Sequence, residues 1–447
     1  MSQAKASRSL VLAVLLLCLV AADAFLTTRT ITGSKALNSR ISSLQMPGIE
    51  EGTKPITFEF ASANQIIFGN GVAKRIPDIA AGMGAKTVLV VTGKSGAERH
   101  RDIAESLVAK GMSVHSYVVG REPTISDIDG GAALARSVGA DLVVGVGGGS
   151  VVDAGKAIAA LITNTEEVLH YLEVVGRAQP LTEDPAPYIA VPTTAGTGSE
   201  VTKNSVIKSE KDSYKASIRH VKMVPDVAVV DPVLTLGVPP TVTAHTGLDA
   251  LCQCMEPFLS CMANPVTDAL AKEGMSRAVR SLRTAVADGN NLKAREDMAL
   301  CSVLGGLCLA NAKLGAVHGF SGVLGGMFEE APHGLICAAL LPHAFRVNVR
   351  VLTREVNAGN LEYQKYLDRH AEVAQLLTGN LQASAEDGAI WLETLTKDLN
   401  IPSLAGIGMK PEHYANAVEM SKQSSSMKGN PIVLSSEELL EILEAAV

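Results

Sequence analysis

Between residues 58 and 231, short runs of β-branched and aliphatic residues alternate with stretches whose apolar positions recur every three to four residues. Residues 87–91, 113–118 and 141–146 read as strands, and 97–110 and 125–137 read as the amphipathic helices between them. Residues 188–191 and 227–230 add two further strands. Strand, helix and strand at this spacing need crossover connections, so the predicted sheet is parallel. After Asp231-Pro232 the period changes: 243–259, 265–288, 293–314, 362–377 and 385–399 run at helical spacing with little strand signal. The predicted class is α/β, with a parallel-sheet domain over residues 55–237 and an all-helical domain over 238–447. Val238-Pro239-Pro240 breaks both patterns at the boundary.

The first 48 residues belong to neither pattern. Lys5 and Arg8 precede an apolar run over residues 10–22, and Ala22-Asp23-Ala24 offers a small-residue cleavage site, so 1–24 reads as a signal peptide. The run falls short of the roughly 20 residues a bilayer span needs, so no stable membrane anchor is expected. Residues 25–48 are rich in Ser and Thr, carry Arg29, Lys35 and Arg40 and lack acidic groups, as transit peptides do. The order resembles the bipartite presequences of algae with secondary plastids. The expected destination is such a plastid, with secretion or the endomembrane system as the alternative.

Beyond residue 48 the chain holds 34 basic and 45 acidic residues, a net charge of −11, which argues against nucleic acid as a partner. Six cysteines lie there, at 252, 254, 261, 301, 308 and 337, none in a Cys-x-x-Cys pair. Buried free thiols are expected.

Two loops concentrate candidate chemistry. Gly147-Gly148-Gly149-Ser150 follows a buried strand and opens a helix, where backbone amides can approach a pyrophosphate without a Cβ in the way. Ser150 can cap that helix, with Asp153 three residues on; a capped tight turn is the purely structural alternative. Residues 192–202, Pro-Thr-Thr-Ala-Gly-Thr-Gly-Ser-Glu-Val-Thr, again follow an apolar strand, at the end where open α/β sheets bind ligands. Together they suggest a dinucleotide cleft.

Gly147-Gly-Gly-Ser-x-x-Asp153, Pro192 to Glu200, Asp231-Pro-x-Leu-Thr235, Gly247-x-Asp-Ala-Leu251 and Pro332-His-Gly334 occur in this order. In this the chain resembles the group III, iron-activated alcohol dehydrogenases, whose fold is related to dehydroquinate synthase. The resemblance implies a cofactor site of Gly148, Gly149, Ser150, Asp153, Thr193, Thr194, Thr197 and Ser199, with Lys215 beside it. Members that prefer NAD tend to carry an aspartate after the first strand; here Gly93 is followed by Lys94, so NAD or NADP is implied, with room for a 2′-phosphate. The implied metal, Fe²⁺ or Zn²⁺, would sit on Asp249, Gln253, His318 and His333. Gln253 stands where the family has histidine, and glutamine is a weaker donor than imidazole, so a reductase that needs no tightly bound metal and a mainly structural role for these residues stay open as alternatives. Gly322 replaces another histidine near the nicotinamide. Cys252, three residues after Asp249, is an alternative donor or a buried thiol.

The implied activity is hydride transfer between nicotinamide and a small aldehyde, ketone or oxo-acid by an NAD(P)-dependent oxidoreductase, expected as a homodimer. Three rivals remain: a maleylacetate-reductase-like enzyme, a dehydroquinate-synthase-like lyase, and a binding protein on the same fold. The lyase expects more basic and polar residues than 317–328 supplies.

Overall fold

The runs richest in aliphatic residues form the middle of the sheet. The computed structural model describes residues 57–447, apart from 121, 213, 329 and 330; both presequence segments lie outside the described residues. The strands are β1 (Gln65–Phe68), β2 (Thr87–Gly93), β3 (Ser113–Val119), β4 (Leu142–Gly147), β5 (Tyr188–Pro192), β6 (Asn204–Ser209), β7 (Tyr214–Arg219) and β8 (Val227–Val230). Six of them make a parallel sheet in the order β3-β2-β4-β5-β8-β1, while β6 and β7 pair as an antiparallel hairpin. Every residue of β4 and β5 is buried, as befits strands covered on both faces.

Helices α1 (Ile76–Gly82), α2 (Gly96–Arg99), α3 (Arg101–Ala109), α4 (Ile125–Val138), α5 (Gly149–Thr163) and α6 (Val168–Tyr171) flank the sheet. Ile76, Ile103 and Leu107 pack with Val88, Val90 and Val144 on one face. Ile128, Val152 and Ile158 pack with Leu89, Val91 and Val143 on the other. The single helix expected over 97–110 is broken at His100, which leaves helical geometry at φ −116°. From β2 the chain moves outward to β3, whereas β4, on the other side of β2, leads away to β5. That reversal opens a crevice at the carboxyl ends of β2 and β4. Register brings Gly93, Gly147 and Pro192 to the same edge.

Beyond the sheet lie α7 (Pro240–Leu259), α8 (Pro265–Ala287), α9 (Leu292–Asn311), α10 (Ala316–Met327), α11 (His333–Asn357), α12 (Gln364–Thr378), α13 (Ala385–Asp398), α14 (Pro411–Gln423) and α15 (Ser436–Ala446). Start signals are explicit: Asn264 and Thr267 cap α8 reciprocally, with Pro265 at its first position. Leu251, Phe258, Phe320, Leu340 and Leu392 share one core. By length and composition α11 is apolar enough to cross a membrane, but 83% of its apolar window is buried inside this fold. Val201 and Val230 pack on Val303 and Leu307 of α9, joining sheet to helices, and Phe58–Val447 is one compact unit. The Asp231 motif is structural here: its carboxylate accepts from the Gly71, Ala73 and Val233 amides and ties the end of β8 to the turn after β1. All six described cysteines are unpaired; five are buried, and Cys261 is exposed against expectation.

Candidate active site

The crevice at the end of β4 is lined by the start of α5. Gly148, not Ser150, is the helix N-cap, and no side chain caps it; Ser150 lies in the first turn. The first-turn amides of a helix have no intrahelical acceptor, so an anion can take that place. A Cβ on Gly149 would fall 2.5 Å from the Thr197 side chain, whereas one on Gly148 would meet only Thr194, at 3.5 Å. Glycine at 149 is therefore required by the fold, while at 148 it leaves open a cradle that the fold itself does not need. Gly93 resembles Gly148: its Cβ would meet only Val151, at 3.5 Å. This places the end of β2 beside the first turn of α5.

The hydroxyl-rich loop is held over that cradle from behind. Ser302 of α9 accepts the Gly196 and Gly198 amides. Gly198 (φ +59°) lies so close to Gly306 that a Cβ on either would strike the other's backbone. Thr194 and Thr197 consequently face the start of α5. Ser199 and Asp153 bond each other, and Lys156 donates to Ser199, so those two side chains join loop to helix. Lys215 spans from Glu122, at 3.4 Å, to α10, where its Nζ would lie 3.2 Å from a Cβ on Gly325. On its far side the loop meets α7: a Cβ on Gly196 would lie 2.7 Å from Thr246 Cβ, one turn before Asp249.

Helical spacing then gathers a second cluster. Asp249 and Gln253 share a face of α7, His318 stands in the first turn of α10 and His333 opens α11. Asp249 Oδ1 is 3.3 Å from His318 Nε2 and 3.8 Å from His333 Nε2. The fold thus brings Asp249, His318 and His333 together, with Gln253 one turn along. Asp249 Oδ1 and Gln253 Oε1 are both buried without a hydrogen bond, a costly arrangement unless something else satisfies them. Burial raises the Asp249 pKa, but His333, His318 and a hydrogen bond from Gln253 outweigh it and bring it to about 2. A buried carboxylate that stays charged among imidazoles, with an orphaned oxygen, fits a divalent cation.

Known proteins carry the same frame. The family model described as iron-containing alcohol dehydrogenase matches residues 63–232, and that for the C-terminal part of the Fe-containing alcohol dehydrogenase family matches 243–447. The chain belongs to the iron-containing alcohol dehydrogenase family. It is 34% identical over 383 residues to alcohol dehydrogenase 4 of Saccharomyces cerevisiae, covering 85% of this chain and 96% of that one. A crystal structure of 1,3-propanediol oxidoreductase superposes with a TM-score of 0.80 at 32% identity, over 88% of this chain and all of the other. Sulfoacetaldehyde reductase from Bifidobacterium kashiwanohense, solved with NAD⁺, superposes with a TM-score of 0.77 at 28% identity, over 88% and 99%. This iron-containing alcohol dehydrogenase is thus an oxidoreductase acting on CH–OH groups, and its two clusters fit a nicotinamide dinucleotide and a divalent metal.

The dehydrogenase holds residues that the motifs alone do not reveal. Glu256, two turns after Asp249, accepts the Val317 amide at 2.8 Å and lies 2.6 Å from His318 Nδ1. It thereby caps α10 and fixes the His318 ring with Nε2 towards Asp249. Cys337, one turn after His333, brings Sγ within 3.5 Å of His333 Nε2. His333 is the open member of the cluster, with 37% of its side chain exposed. Gly322, one turn after His318, is exposed, and a Cβ there would meet nothing within 4 Å.

Glu200, 2% exposed at the end of the hydroxyl loop, gives a pH prediction. Burial, helped by Asp153, raises its pKa from 4.5 to about 7 against the pull of backbone hydrogen bonding and Lys156. A raised carboxyl favours the folded state fully below pH 4.5 and loses that advantage as pH climbs through 7. Stability should fall across this window by up to about 3 kcal/mol, and Glu200→Gln should flatten the slope. Urea titrations from pH 4.5 to 8 with equal slopes for both proteins would refute this.

Proposed function

We propose that this dehydrogenase reduces a small aldehyde, ketone or oxo-acid with NADPH as readily as with NADH, assisted by a divalent ion. The observation that carries this reading is the contact of Gly196 with Thr246, which joins the dinucleotide cradle to the helix bearing Asp249. A dinucleotide with its pyrophosphate at Gly148, Gly149 and Ser150 can pass beneath Thr193, Thr194 and Thr197 towards that helix. Asp249, Gln253, His318 and His333 are the residues to hold the ion. A divalent ion there supplies Lewis acidity, stabilising negative charge on the substrate oxygen as hydride reaches carbon.

The remaining work falls to the chain itself. Glu256 keeps His318 in one orientation, and the apolar wall of Val317, Phe320 and Leu324 on α10 excludes water behind the cluster. Solvent entering beside His333, the partly exposed member of the cluster, delivers the proton to the product alkoxide. The room at Gly322 favours a substrate bulkier than a two-carbon aldehyde, which keeps the oxo-acid reductase as the second reading. A panel of aldehydes, ketones and oxo-acids, run with each nucleotide before and after chelation and with Fe²⁺ or Zn²⁺ restored, tests the whole. Absence of metal-dependent turnover on every carbonyl would sink it.

NADP use rests on Gly93, with Lys94 exposed beside it and no carboxylate to repel a 2′-phosphate. Wild-type turnover with NADPH should at least match that with NADH. Gly93→Asp, whose Cβ has room, should lower kcat/KM for NADPH about tenfold or more relative to NADH. An unchanged ratio would remove Gly93 from the ribose pocket. We also propose a division of labour between residues 55–237 and 238–447, a homodimer, and plastid import directed by residues 1–48. Sedimentation tests the dimer, and a fluorescent fusion to those 48 residues tests the address.

A further inference from the structure

We propose that Cys337 is a sulfur ligand of the divalent ion, making an Asp249, His318, His333 and Cys337 centre in place of the all-nitrogen-and-oxygen set that Gln253 would complete. The inference rests on the metal-assisted reading above and deepens it.

Among the described residues, single donor atoms of Asp249, His318, His333 and Cys337 all lie within 4.8 Å of one another. Cys337 Sγ is 3.5 Å from His333 Nε2 and 3.9 Å from His318 Nε2. These are the two nitrogens that face Asp249 Oδ1. The spacing has a simple origin, since His333 and Cys337 stand at i and i+4 on α11 and therefore share a face. What α7 lacks at Gln253, α11 offers at Cys337.

Cys252 provides the contrast. Its Sγ lies 3.8 Å from the other nitrogen of His318, Nδ1, which Glu256 already holds at 2.6 Å. A thiol behind the imidazole is a packing group; one among the facing nitrogens and the carboxylate is a donor. Gln253 stands one turn beyond Asp249 on α7, beside that ligand. Charge balance supports the same set. One carboxylate and one thiolate match a dication, so the buried centre carries no net charge and less desolvation opposes it. The thiol gives its proton to solvent as the metal–sulfur bond forms, with no change in oxidation state. A soft thiolate also moves the preference towards Zn²⁺ and away from harder cations.

X-ray absorption at the metal edge of the full-length protein reconstituted with Zn²⁺ is the test. One sulfur at about 2.3 Å per ion is expected, and it should vanish in Cys337→Ala but persist in Cys252→Ala. The Co²⁺-substituted protein should show a thiolate charge-transfer band that Cys337→Ala abolishes, and chelator competition should show at least a tenfold loss of affinity in that variant. A wild-type shell of nitrogen and oxygen alone overturns the sulfur ligand while leaving the metal-assisted reading standing. Wild-type protein that binds neither Zn²⁺ nor Fe²⁺ overturns both.

Discussion

His318→Ala should strip the metal and lower kcat/KM for carbonyl reduction by on the order of 10³-fold or more. His318 meets more of the cluster than any other residue: Nε2 faces Asp249 and Cys337, while Nδ1 is fixed by Glu256. Its loss leaves Asp249, 1% exposed, with a single imidazole near its orphaned oxygen. That is an unfavourable place for a carboxylate and a poor one for a cation. Glu256→Gln removes only the group that orients the ring, so its loss should be smaller, about 10- to 100-fold in metal affinity. Elemental analysis beside steady-state kinetics separates the two variants. Metal-free His318→Ala enzyme with wild-type kcat/KM would falsify the assignment of the centre to catalysis.

The ranking follows from what each residue touches, and the sequence shows only part of it. Residues 227–230 and 188–191 announce themselves as strands because an unbroken aliphatic run buried on both faces has few other uses, and β8 and β5 lie there. The hairpin of β6 and β7 is missing from the predicted elements: the apolar Val206 and Ile207 are adjacent and give no period-2 signal, although Tyr-Lys-Ala-Ser-Ile-Arg of β7 does alternate and could have been read as a strand. In α11 the start coincides with the Pro332-His333-Gly334 motif, and Pro342 interrupts the helical pattern of the 25-residue run. Asp249, His318 and His333 are legible as candidates, but their meeting depends on the packing of α7, α10 and α11, which periodicity does not specify. Glu256 and Cys337 had a signal in hand: each stands a whole number of turns from a candidate ligand. Counting forward from His333 as from Asp249 exposes Cys337. The reversal of strand order that opens the crevice depends on which strands pair, and spacing alone leaves that undetermined.

Lys156→Met should cost about 3–5 kcal/mol of folding stability and raise KM for the dinucleotide. Lys156 projects from α5 with 1% exposure, an expensive place for an ammonium group. The cost is offset because Nζ meets the Ser199 carbonyl at 2.8 Å, the Ser199 hydroxyl at 3.0 Å, the Thr202 hydroxyl at 3.2 Å and the Asn204 carbonyl at 2.6 Å. Asp153 lies 3.6 Å away. These acceptors run from the end of the hydroxyl loop into β6, so one buried cation fixes that loop to the helix whose first turn forms the cradle. Methionine keeps most of the volume and removes the charge, leaving Asp153 without its cation and several acceptors without a donor. Adding Asp153→Asn should recover part of the lost stability, because the remaining buried charge goes with it. Recovery of stability without recovery of KM would show that Lys156 positions the loop, beyond balancing a charge. A single variant as stable as wild type would mean that Ser302 and the close packing of Gly198 on Gly306 suffice to hold the loop, and Lys156 would then be a tolerated cation with no part in building the cradle.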